Sequence, residues 1–556
     1  MAFVALSSGC GNSDSAGEFV TNQRIIFSDG LHNENTEMIR LGDRILLAFR
    51  GGEQGQVGSD RAAILISEST DEGQTFTKIS EITMPPADSA EPGAGRDIRD
   101  PKLVQMGDKL FLYAIARSPG FTYRDLFKQT WTVRSESEDG GRTWTAPARI
   151  RDEAGADFMD RWGFWRFTKR QYEENGEAKE TLFATGYEDG DTKAGFFRSE
   201  DGIRWTYVSN IIDSYDDAPS EAELQFFGDN QETAVSIVRL DNQGNLDDGQ
   251  SAICTSRAPF DQWECGRRVD QRLGGPTWVV RRNENQVRNF IFARKHLSCT
   301  FKRTAAYELR GDLTDPKAPV EMCEIQELMS SGDTAYTALV PITQSQYLLS
   351  WYSTPPDQEL AWLEGQFAPS DIWLADVSFD AAPSQCVAPV KAGPCPPPPL
   401  PEGTEVYDVS GSHLLSVSPV IWPSRPMFFK AEVQLQGSSI DMTMQPLDID
   451  TKEPVGDAWT VSDVAIESDG RFVADFGKRD LPSAAYPVVD ADIPIPIESF
   501  VVSGKTISLD GFCGGVDGYA QFLSPSPADR INLDGSKFGA VRIVGDTLPE
   551  PVVECP

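Results

Sequence analysis

The sequence predicts an all-β protein in which a β-propeller is followed by a smaller β domain. Three observations lead to this fold class. A short pattern of Ser, Asp, Gly and an aromatic residue recurs at 69–76, 137–144 and 199–205. Short apolar runs alternate with Gly, Asp and Asn turns, whereas strong helical periodicity is scarce. A proline-rich stretch then separates this region from a second β-like region.

The recurring pattern predicts tight hairpin turns. In each copy the Ser and Asp side chains can hydrogen-bond the turn backbone, Gly supplies a positive φ, and the aromatic residue enters the core. The intervals between Asp71, Asp139 and Asp201 are nearly equal. An interval of this length suits one sheet per repeat, and we expect a β-propeller.

The chain has 556 residues, which is too long for one ordinary core, so at least two domains are expected. We place the propeller at 20–385, a proline-rich linker at 386–403 and a β-sandwich-like domain at 404–556. The linker is assigned because consecutive prolines cannot continue a helix or a central strand and favour a stiff polyproline spacer. The last region keeps the strand pattern but contains no copy of the repeated turn.

Charge and hydropathy exclude two classes of function. The formal net charge is −35, from 50 basic and 85 acidic residues. A surface of this sign cannot neutralise phosphates, so a nucleic-acid partner is excluded. The sequence also has no apolar run long enough for a membrane-spanning helix.

Cysteine usage indicates an oxidising, exported setting. Eight of the nine cysteines fall into neighbouring pairs, and the simplest of the many connectivities joins each to its neighbour. That connectivity is Cys254/Cys265, Cys299/Cys323, Cys386/Cys395 and Cys513/Cys555. The chain has three histidines and no Cys-x-x-Cys motif, so neither a metal site nor a cofactor is expected.

The remaining cysteine, Cys10, ends a short apolar stretch and precedes a polar one. Residues 1–19 resemble the end of a bacterial lipoprotein signal followed by a tether, with Cys10 as the lipidated residue. We therefore expect an exported monomer at the cell surface or in the periplasm, anchored to the outer membrane through a lipid on Cys10.

The repeated turn resembles the Asp-box, or BNR repeat, of the sialidase (neuraminidase) superfamily. This resemblance implies that the β-propeller has six blades. Sialidases act on a sugar with a carboxylate on its anomeric carbon, which would repel a carboxylate nucleophile. The resemblance therefore implies a retaining mechanism in which a Glu activates a nucleophilic tyrosine. It also implies arginines that hold the substrate carboxylate and a separate Asp that acts as acid and base.

Two segments match the sialidase pattern in the family's order. Residues 220–239 are similar to the strand pair in which Glu223 would activate the tyrosine and Arg239 would bind the substrate. Residues 332–352 are similar to the segment that presents the nucleophile, and Tyr336 stands at the matching position.

The other positions match less completely. Arg294, with Arg282 as its competitor, is the candidate for a further substrate-binding arginine. Asp60 shortly precedes the first repeated turn and is the candidate acid/base. The first blade departs from the family, because residues 31–39 contain no arginine at the expected place. Arg99 is the candidate that would replace it.

Residues 99–101 admit a second interpretation. Arg-Asp-Pro resembles an element of five-bladed furanosidases and fructosidases, in which the Asp stabilises an oxocarbenium-like state. Asp100 would then stabilise the transition state, Glu223 would be the acid, and Glu34 or Glu37 would be nucleophile or base. A purely structural interpretation is that Asp100 caps a turn before a strand.

Three classes of function follow. The first is a glycoside hydrolase that acts on terminal sugars, sialic acid among them, with a glycan or glycoconjugate as its partner. The second is a surface propeller that binds a glycan or a protein without turnover. The third is a purely structural surface lipoprotein, which predicts no cluster of Arg, Glu and Tyr.

Overall fold

The computed structural model describes residues 18–53, 55, 58–59, 61–85, 97–117, 131–152, 162–188, 192–241, 249–283, 286–486, 494–521 and 530–555. The first region forms six sheets, one per blade, which confirms the predicted six-bladed propeller. Their strands pair antiparallel, except that the short first strand of blade 3 pairs parallel with the last. Blade 3 carries one additional short strand, and blade 6 takes its outer strand from the start of the chain.

The strands are numbered along the chain. Blade 1 contains β2 (His32–Leu41), β3 (Arg44–Gly52), β4 (Ala63–Ser69) and β5 (Thr77–Thr83). Blade 2 contains β6 (Asp97–Met106), β7 (Lys109–Arg117), β8 (Trp131–Ser137) and β9 (Ala148–Arg149). Blade 3 contains β10 (Arg151–Asp152), β11 (Trp162–Glu174), β12 (Glu177–Glu188), β13 (Lys193–Ser199) and β14 (Arg204–Asp213).

The second half of the ring continues the pattern. Blade 4 contains β15 (Pro219–Phe227), β16 (Thr233–Leu240), β17 (Gln250–Arg257) and β18 (Glu264–Val269). Blade 5 contains β19 (Gly274–Asn283), β20 (Gln286–His296), β21 (Lys302–Arg310) and β22 (Glu321–Glu327). Blade 6 contains β23 (Thr334–Pro341), β24 (Gln346–Ser353), β25 (Asp371–Ser378) and β1 (Val20–Phe27).

The ring closes through β1, which pairs antiparallel with β25. The first strands of neighbouring blades contact one another around the whole ring, so β2, β6, β11, β15, β19 and β23 line the central axis. Hydrophobic clusters fill the gaps between blades; between blades 3 and 4, for example, Phe183 and Phe196 pack against Leu224 and Phe226. Burial between the blades therefore holds the axial strands in place.

The predicted tight turns connect β4 to β5 in blade 1, β8 to β9 in blade 2 and β13 to β14 in blade 3. In the first turn, the amide of Gly73 donates to Ser69 Oγ at 2.8 Å. The amide of Thr75 donates to Asp71 Oδ1 at 2.9 Å. The other two turns make both kinds of bond. The aromatic residue of the third turn, Trp205, is fully buried, as expected.

The axial strands share an irregularity near their first residues. Each shifts register against its neighbour at this level. Four of the shifted segments include a residue with positive φ, namely Asn35 at 59°, Asp100 at 54°, Gly275 at 57° and Tyr336 at 49°. Bulges of this kind redirect side chains, and strained non-glycine residues cluster at functional sites. We therefore expect a functional site at this end of the axis.

The second region is a separate β domain. Its strands are β26 (Gly411–Ser418), β27 (Met427–Gln436), β28 (Ser439–Leu447), β29 (Trp459–Ala465), β30 (Arg471–Asp475), β31 (Arg479–Leu481), β32 (Ile495–Ser508), β33 (Gly511–Gln521), β34 (Arg530–Asn532) and β35 (Ser536–Arg542). They form one ten-stranded sheet whose end strands β29 and β30 contact each other. The sheet thus curls around one core, which contains Phe429, Trp459, Phe500 and Phe512.

Helical structure in the described ranges is short. The α-helix α1 (Trp362–Phe367) lies in the connection between β24 and β25, and single turns of 3-10 helix lie at Pro356–Gln358, Phe379–Ala381 and Ser483–Ala485. No helix in this part of the chain is long and apolar enough to cross a membrane.

The disulfides correct the expected pairing. The bonds Cys254–Cys265 and Cys513–Cys555 are present as expected. The other four cysteines form Cys299–Cys395 and Cys323–Cys386, so pairing each with its neighbour in sequence was wrong here. The linker after blade 6 folds back along blade 5, and this brings Cys386 and Cys395 to the cysteines of that blade. Tertiary structure, not sequence separation, decides which thiols meet.

The proline-rich linker is packed rather than free. Besides the Cys299–Cys395 bond, Lys505 Nζ donates to the carbonyl oxygens of Pro401 and Gly403 at 2.8 and 2.9 Å. The linker therefore contacts both the propeller and the second domain.

Candidate active site

Tyr336 lies at the start of the axial strand of blade 6 and is 6% exposed. Its hydroxyl donates to Glu221 Oε1 at 2.5 Å. Glu221 lies at the start of the axial strand of blade 4, so the pair spans the axis. Burial and the neighbouring Glu221 raise the pKa of Tyr336 well above its ordinary value. The tyrosine is therefore neutral at rest, with a carboxylate in position to take its proton.

Glu221 is held by two further donors. Arg239 Nη1 lies 2.7 Å from Glu221 Oε1, and the amide of Gly275 donates to Glu221 Oε2 at 2.5 Å. Arg239 also forms a two-pronged pair with Asp241, at 2.6 and 3.1 Å. Asp241 in turn accepts from Arg272 at 2.7 Å, and the two arginines lower its pKa against the effect of burial. Arg239 and Glu221 are thus fixed by a buried network of charges.

Arg294 lies on the other side of Tyr336. Its Cζ atom lies 4.8 Å from the centroid of the Tyr336 ring. Its Nη2 atom donates to Asp333 Oδ1 at 2.9 Å and to the hydroxyl oxygen of Tyr352 at 2.8 Å. Tyr352 donates to the same oxygen of Asp333 at 3.0 Å. A cation so placed favours negative charge on the phenol oxygen of Tyr336.

Glu223 lies two residues after Glu221 but contacts a different partner. Its Oε2 atom lies 2.6 Å from Arg166 Nε. Glu37 lies 3.1 Å from the same guanidinium and 3.7 Å from Lys102. Burial raises the pKa of Glu223 to about 7, with Arg166 acting against the shift and Glu37 adding to it. This carboxyl can hold a proton near neutral pH.

Asp100 has the second raised carboxyl pKa at this end of the axis. Burial raises it to about 7 although Lys102 and Arg99 oppose the shift, and the carboxylates of Glu34 and Glu221 add to it. Within the described residues Asp100 makes no hydrogen bond or ion pair, and its charge acts on Tyr336. An uncommitted carboxyl with such a pKa suits a general acid.

Arg99, next to Asp100, is paired with other groups. It donates to Asp97 Oδ2 at 2.5 Å and to the carbonyl oxygen of Gly55 at 3.0 Å. Asp97 also binds Arg50, whose Nη1 atom lies 2.8 Å from Glu34. Around residues 31–39, where the family pattern places an arginine, the carboxylates of Glu34 and Asp97 thus already have arginine partners.

One buried group resembles a set of metal ligands. Donor atoms of His32, Glu34 and Asp333 lie within 4.8 Å of one another. Arg50 and Arg294 already bind the two carboxylates, at 2.8 and 2.9 Å. Although burial opposes the charge, Asp333 and Glu34 raise the pKa of His32 to about 9. We therefore interpret this group as a protonated histidine between two carboxylates rather than as a metal site. The contacts of His32 with Glu34 and Asp333 link blade 1 to blade 6.

Several residues singled out in the sequence meet at this end of the axis. Tyr336, Arg239 and Arg294 lie together. Glu223 lies beside Arg166, and Glu221 instead of Glu223 contacts Tyr336. Arg282 is exposed and donates to a backbone carbonyl on blade 4, away from the cluster. Asp60 and Cys10 lie outside the described residues.

Sequence reasoning missed Glu221, Asp333 and Arg166. Glu221 and Glu223 differ by one strand period, and a single strand gives no signal that separates them. Asp333 precedes a strand by one residue and reads as an ordinary turn residue. Arg166 lies within an aromatic-rich segment, 162–167, and its sequence context resembles that of an ordinary residue between core aromatics.

Comparison with models of protein families finds no match, and comparison with curated proteins finds none. Solved structures do match. The intramolecular trans-sialidase from Ruminococcus gnavus is 12% identical, with a TM-score of 0.45, over 65% of this chain and 98% of that one. The GH93 α-L-arabinofuranosidase of Fusarium graminearum is 13% identical, with a TM-score of 0.42, over 65% and 99%.

A third solved structure covers both domains. Trypanosoma rangeli sialidase is 10% identical, with a TM-score of 0.41, over 94% of each chain. At such low identities and TM-scores, these similarities carry nothing about substrate or mechanism. The chemistry must therefore be inferred from the residues of this chain.

Proposed function

We propose that this protein is a glycoside hydrolase that releases a terminal sugar with retention of configuration, with Tyr336 as nucleophile and Glu221 as its base. The observation that carries the proposal is the 2.5 Å hydrogen bond from the Tyr336 hydroxyl to Glu221. A nucleophile within hydrogen-bond reach of a base that is itself held in place is the usual arrangement for covalent catalysis. Arg239 and Gly275 hold that base.

In the first step, Tyr336 Oη forms a bond to the anomeric carbon while Glu221 takes the phenol proton. The bond to the leaving oxygen breaks, and Asp100 protonates that oxygen. In the second step a water attacks the anomeric carbon and gives a proton to Asp100. Tyr336 then leaves and recovers its proton from Glu221, so every group returns to its starting state. Arg294 stabilises negative charge on the phenol oxygen in both steps.

A second candidate substrate follows from how the arginines are used. A sialic acid substrate needs guanidinium groups for its carboxylate. Each arginine described around this site already has a carboxylate partner; these are Arg50, Arg99, Arg166, Arg239, Arg272 and Arg294. An uncharged terminal sugar, processed by the carboxyls of Asp100 and Glu223, is therefore the alternative. It is favoured by this pairing and by the raised pKa of both carboxyls.

The experiment is a substrate panel on four proteins. A fluorogenic sialoside and uncharged aryl glycosides, furanosides included, are assayed with the wild type, Tyr336→Phe, Glu221→Gln and Tyr407→Phe. Tyr407 is a matched control because its hydroxyl bonds Glu405 on the exposed surface of the second domain. We expect kcat to fall about 10³-fold in the first two variants and to stay unchanged in the control.

Three other outcomes would contradict the proposed mechanism, the sialic acid substrate or catalysis itself. Full activity in Tyr336→Phe would remove the tyrosine from the mechanism. Turnover of uncharged glycosides but not of the sialoside would select the second candidate substrate. Tight glycan binding without any product would replace catalysis by a binding function.

We also propose that the protein is exported and anchored through Cys10, with the domain limits given above. Four disulfides support an oxidising compartment. Labelling with a fatty acid analogue in cells, for the wild type and Cys10→Ser, tests the anchor. Equal labelling of both proteins would contradict it.

A further inference from the structure

The helix α1 connects the second domain to the candidate active site. Towards the site, Trp362 Nε1 donates to Asp333 Oδ1 at 3.1 Å. Gly365 lies so close to the backbone before β23 that an added Cβ would be 2.1 Å from the amide nitrogen of Asp333. The helix therefore contacts both the side chain and the backbone of Asp333, and only glycine permits this approach.

Towards the second domain, α1 makes both polar and aromatic contacts. Glu364 Oε1 accepts from the amide of Ser424 at 2.9 Å and from its hydroxyl at 2.5 Å. The Phe367 ring stacks on Trp422, with centroids 4.7 Å apart and planes inclined by 28°. Leu363 and Phe367 also pack against the core of the second domain. This six-residue helix depends on that domain for its burial.

Blade 1 holds the end of the same segment. The amide of Gly55 donates to the carbonyl oxygen of Gln366, and His32 Nδ1 donates to that of Ala368, both at 2.8 Å. The segment is thus fixed from the blade 1 side as well as by the second domain, and Asp333 lies at its inner face.

Asp333 links the helix α1 to the residues around the proposed nucleophile. The oxygen that accepts from Trp362 also accepts from Arg294 at 2.9 Å and from Tyr352 at 3.0 Å. Arg294 covers one side of the Tyr336 ring, and the Tyr352 ring centroid lies 6.0 Å from that of Tyr336. A shift of Asp333 would move both neighbours of the proposed nucleophile.

We propose that the second domain has a positioning role in catalysis: through α1 it fixes Asp333, which holds Arg294 and Tyr352 beside Tyr336. The inference rests on the proposed function of Tyr336 for its effect on rate, but the physical coupling exists with or without turnover. Small displacements at a distance from the reacting atoms reduce rates when geometry is the source of catalysis. The second domain is then part of the catalytic unit rather than an independent module.

Substitutions at Trp422 and Trp459 separate an effect on the position of Asp333 from an effect on the stability of the second domain. Both rings belong to the core of the second domain. Trp422 contacts α1, whereas the described ring contacts of Trp459 lie within the domain. Trp459 packs within the domain, tilted against Phe429 and edge-on to Phe500. We expect Trp422→Leu in the full chain to lower kcat about tenfold and to increase amide hydrogen exchange over residues 332–336. Trp459→Leu should lower the melting temperature at least as much and leave both readouts unchanged.

A third variant, Trp362→Phe, keeps an aromatic ring but loses the N–H donor to Asp333 together with part of the indole. We expect it to lower kcat about tenfold, with little change in KM or in melting temperature. Wild-type exchange at 332–336 in Trp422→Leu, or equal effects of both Leu variants, would overturn the proposal. If the full chain hydrolyses no glycoside, the proposed function fails, but the exchange experiment still decides the coupling.

Discussion

Glu221 and Glu223 lie two residues apart on β15, and the structure gives them different surroundings. Glu221 accepts from Tyr336 and from the Gly275 amide and pairs with Arg239. Among the described residues Glu223 pairs with Arg166, and its pKa is raised to about 7. In the proposed mechanism the first carboxyl receives a proton from the nucleophile, whereas the second keeps its own, so that one strand would supply two chemical roles.

The largest expected difference is between Glu221→Gln and Glu223→Gln. Both changes keep the size of the side chain and remove its charge. We expect Glu221→Gln to lower kcat about 10³-fold, because Tyr336 loses its base, and Glu223→Gln to lower it less than about tenfold. Steady-state kinetics on the best substrate of the panel measures both. The reverse order would assign the chemistry to Asp100 and Glu223 and end the tyrosine mechanism.

The next effect concerns Asp100 as the acid. Its pKa of about 7 predicts that kcat/KM falls as pH rises through that value, since the acid must be protonated to act. Asp100→Asn should abolish this alkaline limb and lower kcat/KM, which reports the first step, about 10²-fold on glycosides with a poor leaving group, such as an alkyl group. It should affect an activated aryl glycoside much less. An equal loss on both kinds of substrate would exclude Asp100 as the acid.

Much of the propeller could be predicted from sequence because its signals are local. The repeated turns fix Ser, Asp and Gly to bonds within a few residues, and the structure has those bonds. The order of strands along the chain then placed Arg239, Arg294 and Tyr336 at the starts or ends of strands, where the axial cluster forms. Their roles in catalysis stay predictions.

The parts that could not be predicted depend on contacts between distant residues. Which of Glu221 and Glu223 meets Tyr336 depends on the bulge at the start of β15. The pairing of Cys299 with Cys395 depends on the path of the linker. The role of Asp333 depends on the packing of α1, which no periodic pattern encodes.

The smallest expected effect is a shift of the alkaline limb in Lys102→Met. Lys102 is the strongest of the neighbours that oppose the raised pKa of Asp100, and it also acts on Glu223. Removing its charge should therefore raise the pKa of Asp100 and move the limb to higher pH by about 0.5–1 unit. Measuring the pH profile in the Glu223→Gln background isolates Asp100. Lys109→Met is the matched control, since Lys109 pairs with Glu136 on the edge of blade 2. A limb that stays in place in Lys102→Met, or moves equally in the control, would show that the titrating group lies elsewhere.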